Sequence, residues 1–209
     1  MRKTKFWHKI SLIVVVGFFL AACATVSGTK ITMNYDKYFP SFRSADYSYL
    51  KGKKVVLASF HNQAQNTKTW GYYSADNKYT YESNDHLQNY FWYCFEKAFK
   101  YVGVKVVDYQ TDGQYYHHRY WWGAPGSGAY SAPKGVSEFQ LILTSVTDQE
   151  FKFKVLVFKN GETKMDKSFF VTIPPAGTDE VPELEKRAYR LVDVAFTTIM
   201  KDRDFRRVF

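Results

Sequence analysis

The sequence predicts an α+β fold, a two-layer sandwich in which a mostly antiparallel sheet of four or five strands carries two helices on one face. Three observations lead to this prediction. Two helical stretches carry apolar stripes with the same spacing and length. Alternating apolar segments flank Asn160-Gly161, the strongest short signal for an antiparallel hairpin. The elements follow the order β-α-β, a long loop, β-β-β and α, so both helices can cover one sheet face.

The first predicted unit is strand–helix–strand, with strands at residues 54–60 and 104–107 and a helix at residues 85–102. Asp85 and Gln88 resemble a capping box at the start of the helix, and Gly103 follows its end. Its apolar face repeats at helical spacing. The residues of this face are Leu87, Phe91, Cys94, Phe95, Ala98 and Val102.

The second predicted unit has strands at residues 139–144, 151–157 and 164–173, followed by a helix that begins near Val181. Pro182 suits an early helical position, where a missing N–H costs nothing. The apolar face repeats the spacing of the first helix. Its residues are Leu184, Ala188, Leu191, Val192, Ala195 and Ile199.

A secretory signal peptide is predicted at residues 1–22. Four cations and no acidic residue precede an apolar run at residues 10–22. A stable bilayer-spanning helix needs about 20 apolar residues, so this shorter run indicates a targeting segment. The run ends in Leu20, Ala21, Ala22 and Cys23.

These four residues resemble the lipobox of bacterial lipoproteins. The resemblance implies cleavage before Cys23, which then carries a covalent diacylglycerol and an N-acyl chain such as palmitate. More than one acyl chain gives stable membrane anchoring. Ala24 follows Cys23, where the lipoprotein sorting pattern has Asp for retention in the inner membrane. The resemblance therefore implies an outer-membrane location, facing the periplasm.

Charge and cysteine content argue against nucleic-acid binding and against a fold that depends on disulfides. Removing the four leader cations lowers the net charge from +9 to +5, and the remaining cations are scattered along the sequence, so nucleic-acid binding is not predicted. Only Cys23 and Cys94 occur. With Cys23 lipidated, no intramolecular disulfide can form. Cys94 lies on the apolar face of a helix, which indicates a small buried side chain rather than a reactive thiol.

The predicted domain organisation has three parts. Residues 1–22 form the signal peptide, residues 23–50 form the lipidated N-terminus and a tether that orders against the domain, and residues 51–209 form a single α+β domain. A long loop at residues 109–135, which we call the aromatic loop, interrupts that domain. A loop of this length is either functional or disordered. The C-terminal residues 203–209 are expected to be a frayed, solvated end.

The aromatic loop contains the sharpest candidate site, a partner- or ligand-binding cluster. Its rings can cover the sheet face that has no helices, contact a protein partner, or bind a sugar or a lipid. The sequence alone leaves these three interpretations open. The residues of the cluster are Tyr115, Tyr116, His118, Arg119, Tyr120, Trp121 and Trp122.

No catalytic, cofactor or metal site is predicted. His117 and His118 could suggest a metal site with His61 or His86, but adjacent histidines of a strand point to opposite faces and no Cys or carboxylate stands at ligand spacing. The Gly-rich segment at residues 123–128 lacks the Lys-Ser/Thr of a phosphate loop. Carboxylates at predicted turns or exposed strand ends, such as Asp148 and Glu150, are expected to be solvated.

The element order over residues 52–202 is similar to that of several periplasmic lipoprotein groups. These are the auxiliary lipoproteins of ABC-type lipid transport, the penicillin-binding-protein activators and the curli-channel lipoprotein core. The resemblance implies a non-enzymatic accessory protein that binds an envelope protein partner in transport, secretion or wall assembly. The alternative is a glycan- or lipid-binding module that uses the aromatic loop.

Overall fold

The computed structural model describes residues 29–64, 69–70, 79–111, 114–116, 132–178 and 180–209. The strands are β1 (Thr29–Met33), β2 (Lys54–Leu57), β3 (His61–Asn62), β4 (Thr69–Trp70), β5 (Tyr79–Ser83), β6 (Lys105–Val106), β7 (Tyr109–Thr111), β8 (Gln114–Tyr116), β9 (Ser137–Val146), β10 (Glu150–Lys159) and β11 (Glu162–Thr172). The α-helices are α1 (Leu87–Tyr101), α2 (Val181–Lys201) and α3 (Arg203–Val208). Two 3-10 helices lie at Tyr35–Lys37 and Ser44–Leu50.

The main sheet has the strand order β11-β10-β9-β2-β6, and β3 also pairs with β9. The predicted α+β sandwich is confirmed, with six strands in this sheet rather than four or five. The three long strands β9, β10 and β11 pair antiparallel, whereas β2, β3 and β6 join them in parallel. The parallel pair β2 and β6 arises because α1 lies between them in the chain and provides the crossover that parallel strands require.

The hairpin between β10 and β11 forms where the sequence predicts it. Asn160 and Gly161 both have positive φ values, 54° and 77°, which few other residues accept. The apolar side chains of β10 point into the core, and they alternate along the strand with Lys152 and Lys154. The turn and the alternation together set the register, in which Lys159 lies opposite Glu162.

Both predicted helical stripes are buried in one core that also includes the inner face of the main sheet. Tyr90 and Phe99 widen the buried face of α1 beyond the predicted stripe. The predicted capping box is wrong. The N-cap is His86, with no side-chain cap, and the Asp85 carboxylate instead accepts from the His86 N–H at 2.6 Å and from the Asn89 amide at 3.2 Å.

Residues 29–50 belong to the folded domain. β1 pairs in parallel with β5, and β4 completes this second, three-stranded sheet. Ile31 and Met33 of β1 and Tyr47 and Leu50 of the second 3-10 helix are buried in the same core as the helices. Only residues 24–28 therefore separate Cys23 from the first described residue.

The prediction of a frayed C-terminal end is wrong, because residues 203–208 form α3. The Asp202 carboxylate caps this helix by accepting from the Asp204 and Phe205 N–H groups at 3.0 and 3.1 Å. Phe205 is fully buried, and the ring of Phe209 stacks on it at 4.8 Å. Among the helices that the structure describes, none combines the length and apolar character needed to cross a bilayer.

Candidate functional site

The residues singled out from the sequence fall mostly outside the described part of the chain. Leu20, Ala21, Ala22 and Cys23 precede it, and residues 117–131 of the aromatic loop are also outside it. The backbone of Tyr115 and Tyr116 lies in β8, which pairs antiparallel with β7. The aromatic loop thus begins with a short hairpin, and the role of its side chains stays a prediction.

The first described residue lies at the end of the main sheet where β9 turns into β10. Thr29 pairs with Tyr79 of β5. The Tyr79 hydroxyl donates to the Asp148 carboxylate at 2.9 Å, and Asp148 lies in the β9–β10 turn. The described chain therefore begins at this end of the domain, which we call the entry end.

Asp148 is 4% exposed, so the prediction that it is solvated is wrong. Burial of a carboxylate is tolerated when hydrogen bonds and a cation replace its water. Beside the Tyr79 hydroxyl, Arg187 of α2 lies 3.9 Å from the Asp148 carboxylate and donates to the Asp148 carbonyl at 2.8 Å. Arg187 also donates to the Pro174 carbonyl. These contacts join the turn, β5 and α2 at the entry end.

A cleft of about 250 Å³ lies beside Arg187, between the segment after β11 and the start of α2. Its charges are largely compensated, because Lys186 pairs with Glu183 at 2.6 Å and Arg187 is engaged with Asp148. Within the described chain, Arg190 is the lining cation without an ion pair. One exposed guanidinium does not define an anion site, so we assign no ligand to this cleft.

Asp193 of α2 is a second buried carboxylate, and it holds the N-terminal segment to the helix. The Tyr38 hydroxyl donates to it at 2.7 Å, and Ser41 donates through its hydroxyl at 2.5 Å and its N–H at 3.1 Å. Burial raises the pKa of Asp193, and the hydrogen bonds from Ser41 and Tyr38 partly oppose that rise. Sequence analysis missed this cluster, although an acidic residue beside the apolar positions Leu191 and Val192 was a usable signal.

Two histidines line a cleft of about 540 Å³ whose other lining residues include Asn62, Gln63, Gln88 and Ile142. These histidines are His61 and His86. Burial lowers the pKa of His61, which favours its neutral form at neutral pH. No group of three or more His, Cys, Asp or Glu with metal-binding geometry occurs among the residues that the structure describes.

Cys94 is fully buried in α1. Burial raises its pKa, which disfavours the nucleophilic thiolate. The Cys94 thiol is thus packed in the core, and Asp148, Asp193 and Arg187 connect elements of the fold.

Comparison with known proteins gives no family. No family model and no curated protein matches the chain. A crystal structure of the protein XCC0632 from Xanthomonas campestris, described with the family model DUF330, superposes with a TM-score of 0.49 at 4% identity, covering 86% of this chain and 96% of that one. A crystal structure of an uncharacterized protein has a TM-score of 0.44 at 12% identity, covering 81% and 97%. Superpositions this weak assign neither a family nor a function.

Proposed function

We propose that this chain is a lipid-anchored, non-enzymatic binding protein on the periplasmic face of the outer membrane, an accessory component of an envelope transport, secretion or wall-assembly machine. One observation supports this proposal most strongly. β1 is built into the hydrophobic core only six positions after the lipobox residue Cys23.

The short distance along the chain limits where the domain can act. Residues 24–28 and their flanking bonds span at most about 20 Å when fully extended. A lipid on Cys23 would therefore hold the entry end of the domain next to the membrane surface. A domain on so short a tether acts on partners that come to the membrane, and not on distant ones.

The chemistry of the described residues favours binding over catalysis. The buried carboxylates Asp148 and Asp193 are each engaged with donors from other elements, and the Cys94 thiol is enclosed. Groups that act on a substrate need access to it. These groups instead connect elements of the fold.

The alternative function is a glycan- or lipid-binding module that uses the aromatic loop. The observation that favours it is the concentration of five aromatic residues at positions 115–122. Aromatic faces stack on sugar rings and are favoured at membrane interfaces. Purified glycan or lipid alone should then change the tryptophan fluorescence, whereas an accessory protein should respond only when its protein partner is present.

The anchoring part of the proposal predicts that Cys23→Ser abolishes lipidation. The serine hydroxyl cannot form the thioether, so the variant should take up no fatty-acid label and should leave the membrane fraction after washing. Metabolic labelling with a fatty-acid analogue and fractionation measure both effects. Cys94→Ser is the matched control and should label like the wild type. Equal label on Cys23→Ser and the wild type would refute the anchoring.

A further inference from the structure

Five cations gather at the end of the main sheet that is opposite to the entry end. We call this surface the basic pole. It consists of Lys51, Lys53, Lys54, Lys105 and Arg206. Lys51 and Lys53 lie just before β2, Lys54 and Lys105 begin β2 and β6, and Arg206 lies in α3. The fold thus brings together cations that are distant in sequence.

Backbone contacts hold the lysines of the basic pole side by side. Lys54 and Lys105 are neighbours in the parallel register of β2 and β6. The Lys105 N–H donates to the Lys53 carbonyl at 2.8 Å, and the Gly52 N–H donates to the Gly103 carbonyl at 2.8 Å. The spacing of these cations is therefore set by the sheet.

Aromatic rings position Arg206 and also contact Lys53. The Arg206 guanidinium lies 5.1 Å from the centre of the Tyr49 ring, and the Lys53 ammonium lies 5.8 Å from the same ring. Lys53 also lies 5.9 Å from the ring of Phe209. Arg206 is further held because its Nε donates to the Met200 carbonyl at 3.1 Å.

The cations of the basic pole lack carboxylate partners among the described residues. Many other exposed cations have a carboxylate partner, such as Lys154 with Asp166 at 2.8 Å and Lys186 with Glu183 at 2.6 Å. None of the five cations of the basic pole forms an ion pair with a residue in the described ranges. Like charges on neighbouring strands destabilise a sheet, so packing of this domain does not explain the cluster.

The position of the basic pole separates it from the proposed anchor. β2 begins beside the start of β9, where Val55 pairs with Ser137. β9 then runs to Val146, close to Asp148 at the entry end. Ten residues of a β-strand span about 30 Å. The basic pole therefore lies about 30 Å from the entry end, where the proposed lipid anchor would hold the domain at the membrane.

We propose that the basic pole docks the acidic surface of a protein partner. The orientation of this surface away from the membrane rests on the anchoring proposed above. Cations cover the face of the Tyr49 ring, and Phe209 stacks on Phe205 and on Phe99, so these rings are not open for stacking on sugars. The basic pole therefore offers a partner an array of lysine and arginine side chains, whose positive charges are complementary to carboxylates.

Charge reversal on the full-length protein, purified in detergent, tests the interaction with poly-L-glutamate as the probe. Lys54→Glu/Lys105→Glu should bind the probe about tenfold more weakly at low salt, and the difference should shrink at high salt. Lys54→Arg/Lys105→Arg keeps the charge and should bind like the wild type. The matched control is Lys152→Glu/Lys186→Glu, with the same charge change at positions that are 53% and 72% exposed, and it should bind nearly as well as the wild type.

Carbodiimide cross-linking in intact envelopes identifies the class of the occupant, because it joins lysine amines to carboxylates in contact. The expected result is that Lys54 and Lys105 are linked to Asp or Glu residues of another protein, in salt-sensitive yield. Links only within the chain, or equal loss of probe binding in the pole and control variants, would overturn the inference. So would binding of purified sacculi or phosphatidylglycerol vesicles that needs the basic pole while protein links are missing. Fatty-acid labelling is measured separately, so a labelled protein without these links would leave the anchoring intact.

Discussion

Asp193 connects two segments that are far apart in the sequence. It is 5% exposed on α2, and its three donors come from Tyr38 and Ser41 in the N-terminal segment. Burial of a carboxylate costs free energy, and donors that remain in place offset part of this cost. The raised pKa of Asp193 shows that burial outweighs the hydrogen bonds in its effect on ionisation.

The raised pKa predicts the direction of a pH effect on stability. The folded chain keeps the Asp193 proton to a higher pH than the unfolded chain, in which the carboxyl has its ordinary pKa of 3.8. As pH rises above 3.8, the contribution of Asp193 to the free energy of unfolding therefore falls. Asp193→Asn removes this titration. We expect the free energy of unfolding of the wild type to decrease relative to that of Asp193→Asn as pH rises from about 4 towards neutrality. Urea unfolding of both proteins at a series of pH values measures the difference between their free energies of unfolding. A difference that does not change with pH would contradict the raised pKa of Asp193.

The two long helices provide the matched layer that covers the sheet. α1 and α2 bury the predicted stripes, and rings from both helices meet, as in the contact of Phe95 with Phe196 at 5.7 Å. Phe95 also stacks against Phe139 of β9 at 5.9 Å. The short helix α3 extends this layer, because Phe205 contacts the same Phe139 ring.

The packing of the helices predicts large effects for truncated core side chains. Phe95→Ala and Leu191→Ala should each lower the free energy of unfolding by about 2–5 kcal/mol, because both side chains are fully enclosed and leave cavities. Denaturant unfolding midpoints measure the effect. Phe39→Ala is the matched control for the phenylalanine change, because Phe39 is 73% exposed, and it should shift the midpoint little. Unchanged midpoints for both core variants would refute the packing.

At the scale of the whole molecule, one hydrophobic cluster extends from β1 to α3. It includes side chains from Ile31 to Phe205, and residues 109–131 contribute none of its described members. The described residues therefore form one continuous core between the helices and the main sheet. The five cations of the basic pole are not members of this cluster, so substitutions there can be separated from folding.

Replacing Tyr120, Trp121 and Trp122 together with Ser tests the aromatic loop as a functional surface. We expect the melting temperature to stay nearly constant, because the loop separates two well-patterned halves of the sequence whose strands and helices can close without it. Co-purification of the partner from solubilised envelopes should be lost. A fall of several degrees with full recovery of the partner would show instead that the rings cover the domain.

Local patterns were enough to predict much of the architecture. The spacing of apolar residues predicted both helical stripes, and Asn160-Gly161 predicted the hairpin, because these signals act between residues that are neighbours along the chain. They did not predict the capping of α1, whose N-cap is His86 rather than Asp85. They also did not predict α3, which is stabilised by burial of Phe205 in the core.

The sequence by itself determined the α+β class, the helical faces and the hairpin, and it is the sole basis for the predicted lipid anchor at Cys23. Only the tertiary structure decided that Asp148 is buried, that Asp193 binds Tyr38 across 155 positions, and that the cations at the start of β2 meet those of β6 and α3. The physical reason is that burial and charge compensation depend on distance in space. Sequence periodicity reports which face of an element is apolar, but not which polar group lies opposite to it.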